Sequence, residues 1–177
     1  MTHNIPDQIT PFIGRYDDVN NIVNLLTTHP IVTLVGMGGI GKTRLSIAVG
    51  QYLVEHTENH LDIYFVSLAP ITQSSQIVGA IADAIDLTLT SGVADEAQIA
   101  SHFHNRDVML IIDNFEHVMD GAYLIPTLIQ ACPTLTILVT SREKLNVDGE
   151  GFYPVSGLTI PDKRTLEDIE QYDVIRL

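Results

Sequence analysis

"IVTLVGMGGIGKTR", residues 31–44, runs from a short apolar stretch through four glycines into Lys42, Thr43 and Arg44. The apolar stretch is rich in β-branched residues, which predicts a strand buried on both faces of a parallel sheet. Beyond the glycines, Leu45, Ala48, Val49, Tyr52 and Leu53 fall on one face of a helical period. The turn between these elements has the P-loop spacing, Gly36, four residues, then Gly41, Lys42 and Thr43. Gly36, Gly38, Gly39 and Gly41 allow the backbone N–H groups of the loop, including those of Met37 and Ile40, to turn toward phosphate oxygens. The first turn of the following helix adds unsatisfied donors and partial positive charge, with Arg44 close by. Lys42, read as a solvent-facing loop lysine, reaches the β- and γ-phosphates, and the Thr43 hydroxyl coordinates Mg²⁺. The plain alternative is a glycine-rich turn that only ends a strand.

Working outward, strand and helix patterns alternate. Apolar runs at 62–68, 108–113 and 135–140, with a weaker one at 152–155, resemble the first. Helical patterns lie between them: Ile77, Val78, Ile81, Ala82 and Ile85 share a face, and "DEAQIASHF" (95–103) opens with acidic residues suited to a helix start. Pro126 places the start of the helix carrying Leu128 and Ile129 only a few residues before it. A further helix is predicted over 15–26, before the first strand. The order is βαβ, so the fold class is α/β.

A phosphate–Mg²⁺ site needs a carboxylate on a neighbouring strand. "DVMLIIDNFEH" (107–117) supplies it in Asp113, which follows a dry strand and emerges at the end where open α/β sheets bind ligands. Asn114 follows, where many hydrolytic P-loop enzymes carry a glutamate. Glu116 either serves as the base that polarises water or caps the next helix, and the sequence leaves both open. In "TSRE" (140–143), Arg142 stands after the next apolar strand. It is either a solvated loop arginine or a sensor that pairs with the γ-phosphate.

Taken together and in this order, "PFIGRYDD", "GMGGIGKT", "LIIDNFEH" and "TSRE" resemble the STAND family of signal-transduction NTPases, relatives of the AAA+ ATPases. They are most similar to the NB-ARC/AP-ATPase-like ATPases of bacterial LuxR-type regulators and of apoptotic and plant-resistance proteins. The resemblance covers nearly the whole chain. It implies a P-loop NTPase of AAA+/ASCE type with a parallel five-stranded sheet in the order 5-1-4-3-2, flanked by helices. It also implies ATP or ADP with Mg²⁺ as ligands, and Phe12, Ile13, Gly14 and Arg15 lining the adenine and ribose side. One departure is "GRYDD", where the family commonly has a glutamate two residues beyond that glycine. Family members continue into a small helical domain that closes over the nucleotide. The expected division is a nucleotide-binding domain over 1–163 and, over 164–177, the start of a truncated helical domain or a C-terminal helix. Without the closing unit, this stretch is expected to bind nucleotide weakly and hydrolyse it negligibly.

Composition excludes several classes. The chain has 177 residues, 45% of them hydrophobic, which suits one domain with a substantial core. Nine Lys+Arg against 22 Asp+Glu give a net charge of −13, which repels a phosphate backbone, so no direct nucleic-acid binding by this domain is expected. The single Cys132 forms no internal disulfide and reads as a buried thiol in a reducing, cytoplasmic setting. No apolar run is long enough to span a bilayer, and the N-terminus lacks the pattern of a signal peptide, so no membrane partner is expected. His56 with His60 and His102 with His104 read as helix-end histidines rather than ligands, and Glu167, Asp168, Glu170 and Asp173 as a solvated helix face.

The leading functional expectation is an ATP/ADP-dependent switch that self-associates when ATP-bound and is reset by slow hydrolysis. A second is an AAA+ motor or loader acting on DNA or protein, which needs an arginine reaching a neighbouring subunit; Arg44 and Arg106 are both candidates. A small-molecule kinase ranks last, because nine basic residues leave few cations for a lid.

Overall fold

The computed structural model describes residues 2–8, 15–57 and 60–157. Five parallel strands form one sheet: β1 (Ile31–Val35), β2 (Leu61–Ser67), β3 (Asp107–Asp113), β4 (Leu135–Ser141) and β5 (Glu150–Pro154). They lie in the order β2-β3-β4-β1-β5, which is the expected 5-1-4-3-2 read from the other edge. The β2 and β5 spans start one and two residues earlier than their apolar runs suggested. The helices are α1 (Tyr16–Leu26), α2 (Lys42–His56), α3 (Ile77–Ala84), α4 (Asp95–His102) and α5 (Leu124–Ala131). Pro126 occupies the first turn of α5, where its missing N–H removes no helical bond.

The uninterrupted apolar runs are explained by cores on both sides of the sheet. Along β3, Val108, Leu110 and Ile112 enter one core, packed with α3, α4 and α5. Met109 and Ile111 enter the other, packed with α1, α2 and Ile5. Truncating a fully buried isoleucine such as Ile111 or Ile112 to alanine costs about 2–5 kcal/mol. Cys132 is a free, buried thiol in the first of these cores.

The amino-terminal segment adds a feature absent from the sequence expectations. Ile63 N–H donates to the Thr2 carbonyl at 3.0 Å, and His3, outside the five strands, pairs with Ile63 of β2 in parallel sense. Asn4 fixes this arrangement: its carboxamide accepts from Phe65 N–H at 2.5 Å and donates to the carbonyls of Phe65 and Ala84. Ile5 then turns into the α1–α2 core.

The expected adenine-side residues Phe12, Ile13 and Gly14 lie outside the described residues, as does the expected boundary at 163/164 with everything assigned to 164–177. Among the described residues no helix is long and apolar enough to cross a membrane.

Candidate functional site

The phosphate loop follows β1 and leads directly into α2. Gly39 and Gly41 have φ of 77° and 97°, a left-handed conformation that favours glycine, and they allow the chain to curl before Lys42 opens the helix. Gly36 answers a different need. A Cβ there would stand 3.0 Å from the Val155 carbonyl and 3.1 Å from the Ile40 side chain, so only glycine lets the chain beyond β5 pass so close.

Lys42 departs from the expectation of a solvent-facing lysine. It is only 6% exposed, and its ammonium donates to the Gly36 carbonyl at 2.8 Å and the Met37 carbonyl at 3.1 Å. The loop's own oxygens hold the charge inside the curl, because a buried ammonium must be hydrogen-bonded.

Asp113 is buried at the carboxyl end of β3, one strand removed from the loop. Its Oδ1 accepts from Thr43 Oγ1 at 2.8 Å and from Thr140 Oγ1 at 2.6 Å. Thr140 Oγ1 in turn accepts from Asn114 N–H at 3.0 Å. Three elements, α2, β3 and β4, thus converge on one carboxylate. Thr140 was not singled out in the sequence. Its signal was weak but present: a hydroxyl at the end of an apolar strand, next to the strand that carries Asp113.

Arg142 and Glu116 meet across the same opening, with Nε 3.2 Å from Oε1. Glu116 lies in a single 3-10 turn (Phe115–His117) that Asn114 introduces with a φ of 65°. Neither sequence alternative for Glu116 foresaw this pairing.

These residues line a cavity of about 400 Å³, within the roughly 300–1,000 Å³ range of small-molecule sites. Its walls are Gly38, Gly39, Gly41, Lys42, Thr43 and Arg44 on one side and Asn114, Glu116, His117 and Arg142 on the other. Asp113 sits beneath Thr43 rather than in the wall. Gly36, Met37 and Ile40 belong to the loop but do not line the opening, and the Met37 side chain is exposed. Arg15 lies to one side: its guanidinium donates to the carbonyls of Ser156 at 2.8 Å and Ile40 at 3.3 Å, and it pairs with Asp18. It ties α1 to the phosphate loop and to the chain after β5.

The donor set fits a magnesium-bound phosphate chain. One carboxylate and one hydroxyl stand at the loop's edge, and among the described residues no group of three His, Cys, Asp or Glu side chains could hold a metal unaided. Mg²⁺ is usually bound in this partial way, with one or two carboxylates completed by substrate phosphates and water. A curl of backbone N–H groups, a lysine within it and an arginine opposite supply the positive potential that phosphates require.

Arg106 lies at the other end of the sheet, before β3. Its guanidinium is bound to Asp62 at 2.6 and 3.1 Å and to the Tyr64 hydroxyl at 3.0 Å. Of the two arginines considered for reaching a neighbouring subunit, Arg106 is therefore committed elsewhere, whereas Arg44 borders the cavity. Burial works to raise the Asp62 carboxyl, but the Arg106 hydrogen bond, the Thr2 N–H and the guanidinium charge outweigh it and hold it below the usual aspartate value.

No family model matches the chain. Over 140 residues, 78% of this chain, it is 38% identical to a Mycobacterium tuberculosis protein provisionally named an HTH-type transcriptional regulator. The chain spans only 15% of that relative's length. Among solved structures it is similar to Cdc6p from Pyrobaculum aerophilum, with a TM-score of 0.66 at 16% identity, over 88% of this chain and 48% of that one. It is also similar to a signal transduction ATPase with numerous domains (STAND) with a tetratricopeptide repeat sensor from Pyrococcus horikoshii. There the TM-score is 0.54 at 15% identity, over 88% of this chain and 25% of that one.

Proposed function

The chain has the P-loop NTPase fold of the AAA+ type, and we propose that it is the nucleotide-binding core of an ATP/ADP-dependent signal-transduction switch of the STAND, NB-ARC-like kind. The observation that carries this reading is the convergence of Thr43 and Thr140 on Asp113 beside the phosphate loop, with Thr43 and Arg142 lining the same cavity. Lys42 and the loop N–H groups bind the phosphates, Thr43 and Asp113 hold Mg²⁺, and Arg142 distinguishes ATP from ADP. A nucleotide can shift a conformational equilibrium only through its different affinity for the two states, and a cation that reads the terminal phosphate supplies that difference. Self-association in the ATP state and slow hydrolysis complete the proposal.

The mycobacterial relative supports a regulatory setting, in which this core is one module of a transcriptional regulator. Its acidic balance supports a core that does not itself bind nucleic acid, and its single cysteine supports a reducing, cytoplasmic setting. Residues 1–163 form the nucleotide-binding domain in this reading, and 164–177 either start a helical domain or form a C-terminal helix.

Calorimetric titration with Mg-ADP and with a non-hydrolysable Mg-ATP analogue tests it. Both are expected to bind, and omission of Mg²⁺ is expected to weaken the analogue more than ADP. Absence of binding by either overturns the reading. Turnover on the order of several per second would favour a motor instead.

A further inference from the structure

We propose that Arg142 and Glu116 form a latch: while they are paired, the carboxylate is withheld from water, and when Arg142 takes a terminal phosphate, the carboxylate is released to act as the general base. This inference rests on the phosphate-site reading and adds the means by which detection of the phosphate is coupled to its removal.

The pair is strongly asymmetric. The Glu116 side chain is 10% exposed and that of Arg142 63%. Glu116 Oε1 has the guanidinium at 3.2 Å, whereas Oε2 is sealed from solvent with no hydrogen-bond partner among the described residues. A buried carboxylate with one oxygen unsatisfied is poorly settled, and its cation is the main compensation on view. Arg142 is held much less firmly. It projects from the end of β4 over the phosphate loop, where a Cβ on Gly38 would lie 3.5 Å from its Nη2.

An ion pair with one exposed partner contributes little, and a phosphate offers the planar guanidinium more charge and a better geometric match than one carboxylate oxygen does. Arg142 can therefore exchange Glu116 for a phosphate at the Gly38 side of the cavity without leaving its place. Once it does, Glu116 keeps its burial but loses its cation. Its nearest relief is to turn into the cavity whose wall it already forms and to accept a hydrogen bond from water there.

In that state Glu116 accepts a proton from water as the water oxygen bonds to the terminal phosphorus. The bond from that phosphorus to the bridging oxygen breaks with its electron pair, giving nucleoside diphosphate and inorganic phosphate. Glu116 gives the proton up to solvent as the phosphate departs, and Arg142 returns to the regenerated carboxylate. With a diphosphate bound, the latch stays closed.

The prediction separates from ordinary loss of a catalytic base because it concerns binding. Glu116→Gln removes the competitor for Arg142, so the affinity for the non-hydrolysable Mg-ATP analogue should rise about three- to tenfold, while Mg-ADP affinity stays within about twofold. In the double variant Arg142→Ala/Glu116→Gln, the gain should vanish relative to Arg142→Ala alone, as a double-mutant cycle requires of two coupled groups. Should Glu116→Gln fail to fold, Glu116→Asp, which withdraws the charge by one methylene, gives the same direction at smaller size. The latch is overturned if the analogue gains nothing, if ADP gains as much, or if the gain survives without Arg142. A parent chain that binds both nucleotides, with no effect of Glu116→Gln, overturns the latch alone. One that binds neither overturns the phosphate-site reading as well.

Discussion

Arg106 with Asp62 at the amino end of the sheet, and Arg142 with Glu116 at its carboxyl end, are both arginine–carboxylate pairs, placed in opposite circumstances. Arg106 makes two bonds to Asp62 and one to the Tyr64 hydroxyl, with His102 at 3.3 Å, and Asp62 also accepts from Thr2 N–H. The bonds tie three pieces of chain together. Among the described residues Arg142 makes one ion pair, to a carboxylate whose other oxygen has no hydrogen-bond partner there. A saturated pair has nothing to gain from rearrangement and holds strands in register. An unsaturated pair beside a cavity can exchange partners, and this makes it suitable for signalling.

The largest effect that would sharpen this contrast is at Lys42. Replacing it with alanine removes the charge from the centre of the loop and leaves the Gly36 and Met37 carbonyls without their donor. Nucleotide affinity measured by calorimetry should fall at least about a hundredfold, in line with the loss of charge-assisted bonds to phosphate. Equal ADP affinity in the variant and the parent would mean that the carboxyl end is no phosphate site at all.

Next in size is Asp113→Ala, which takes away the carboxylate on which Thr43 and Thr140 converge. Binding of the Mg-ATP analogue should weaken about tenfold or more, and binding of ADP without metal should change far less. If the two change alike, Asp113 organises the loop and holds no metal.

The smallest effect should come from Asp62→Asn at the saturated end. With side chains 34% and 13% exposed, the Arg106–Asp62 pair is partly screened, so a loss of about 1 kcal/mol in folding stability at pH 7 is expected. Because the Asp62 carboxyl is held below its ordinary value of 3.8 in the folded chain, its contribution is complete above that value and is lost as pH falls through the lowered one. Denaturation curves of variant and parent should therefore converge in strong acid. Nucleotide affinity should not move, and if it does, the division between a structural and a signalling end of the sheet fails.

Much of this was legible in the sequence because the physics was local. The run at 31–35, the glycine spacing and the helical face beginning at Leu45 each depend on neighbours a few residues apart, and the same holds for the dry strand that ends in Asp113. What stayed hidden depends on which distant segments meet. Thr140 becomes a partner of Asp113 only because β4 lies beside β3, and Glu116 finds Arg142 only because a left-handed Asn114 turns the chain back. Thr2 to Asn4 carry no alternation that marks a strand, and an edge of β2 must exist before they can pair with it. Lys42 was misread for a related reason: sequence reveals its charge but not the carbonyls that curl around it.

The order of strands in the sheet also bears on how the protein comes into being. β1, which carries the phosphate loop, is made before the other four strands of the sheet, yet both its neighbours, β4 and β5, are synthesised roughly a hundred residues later. β2 and β3 are nearer each other in the chain and can pair first. Until β4 slots between β3 and β1, the loop has no fixed base, Asp113 has no Thr140, and Arg142 has not yet been made. Translation that stalls before β4 would therefore leave a β2–β3 unit without a nucleotide site, so ligand cannot rescue such short nascent chains and can stabilise only a domain that is nearly complete.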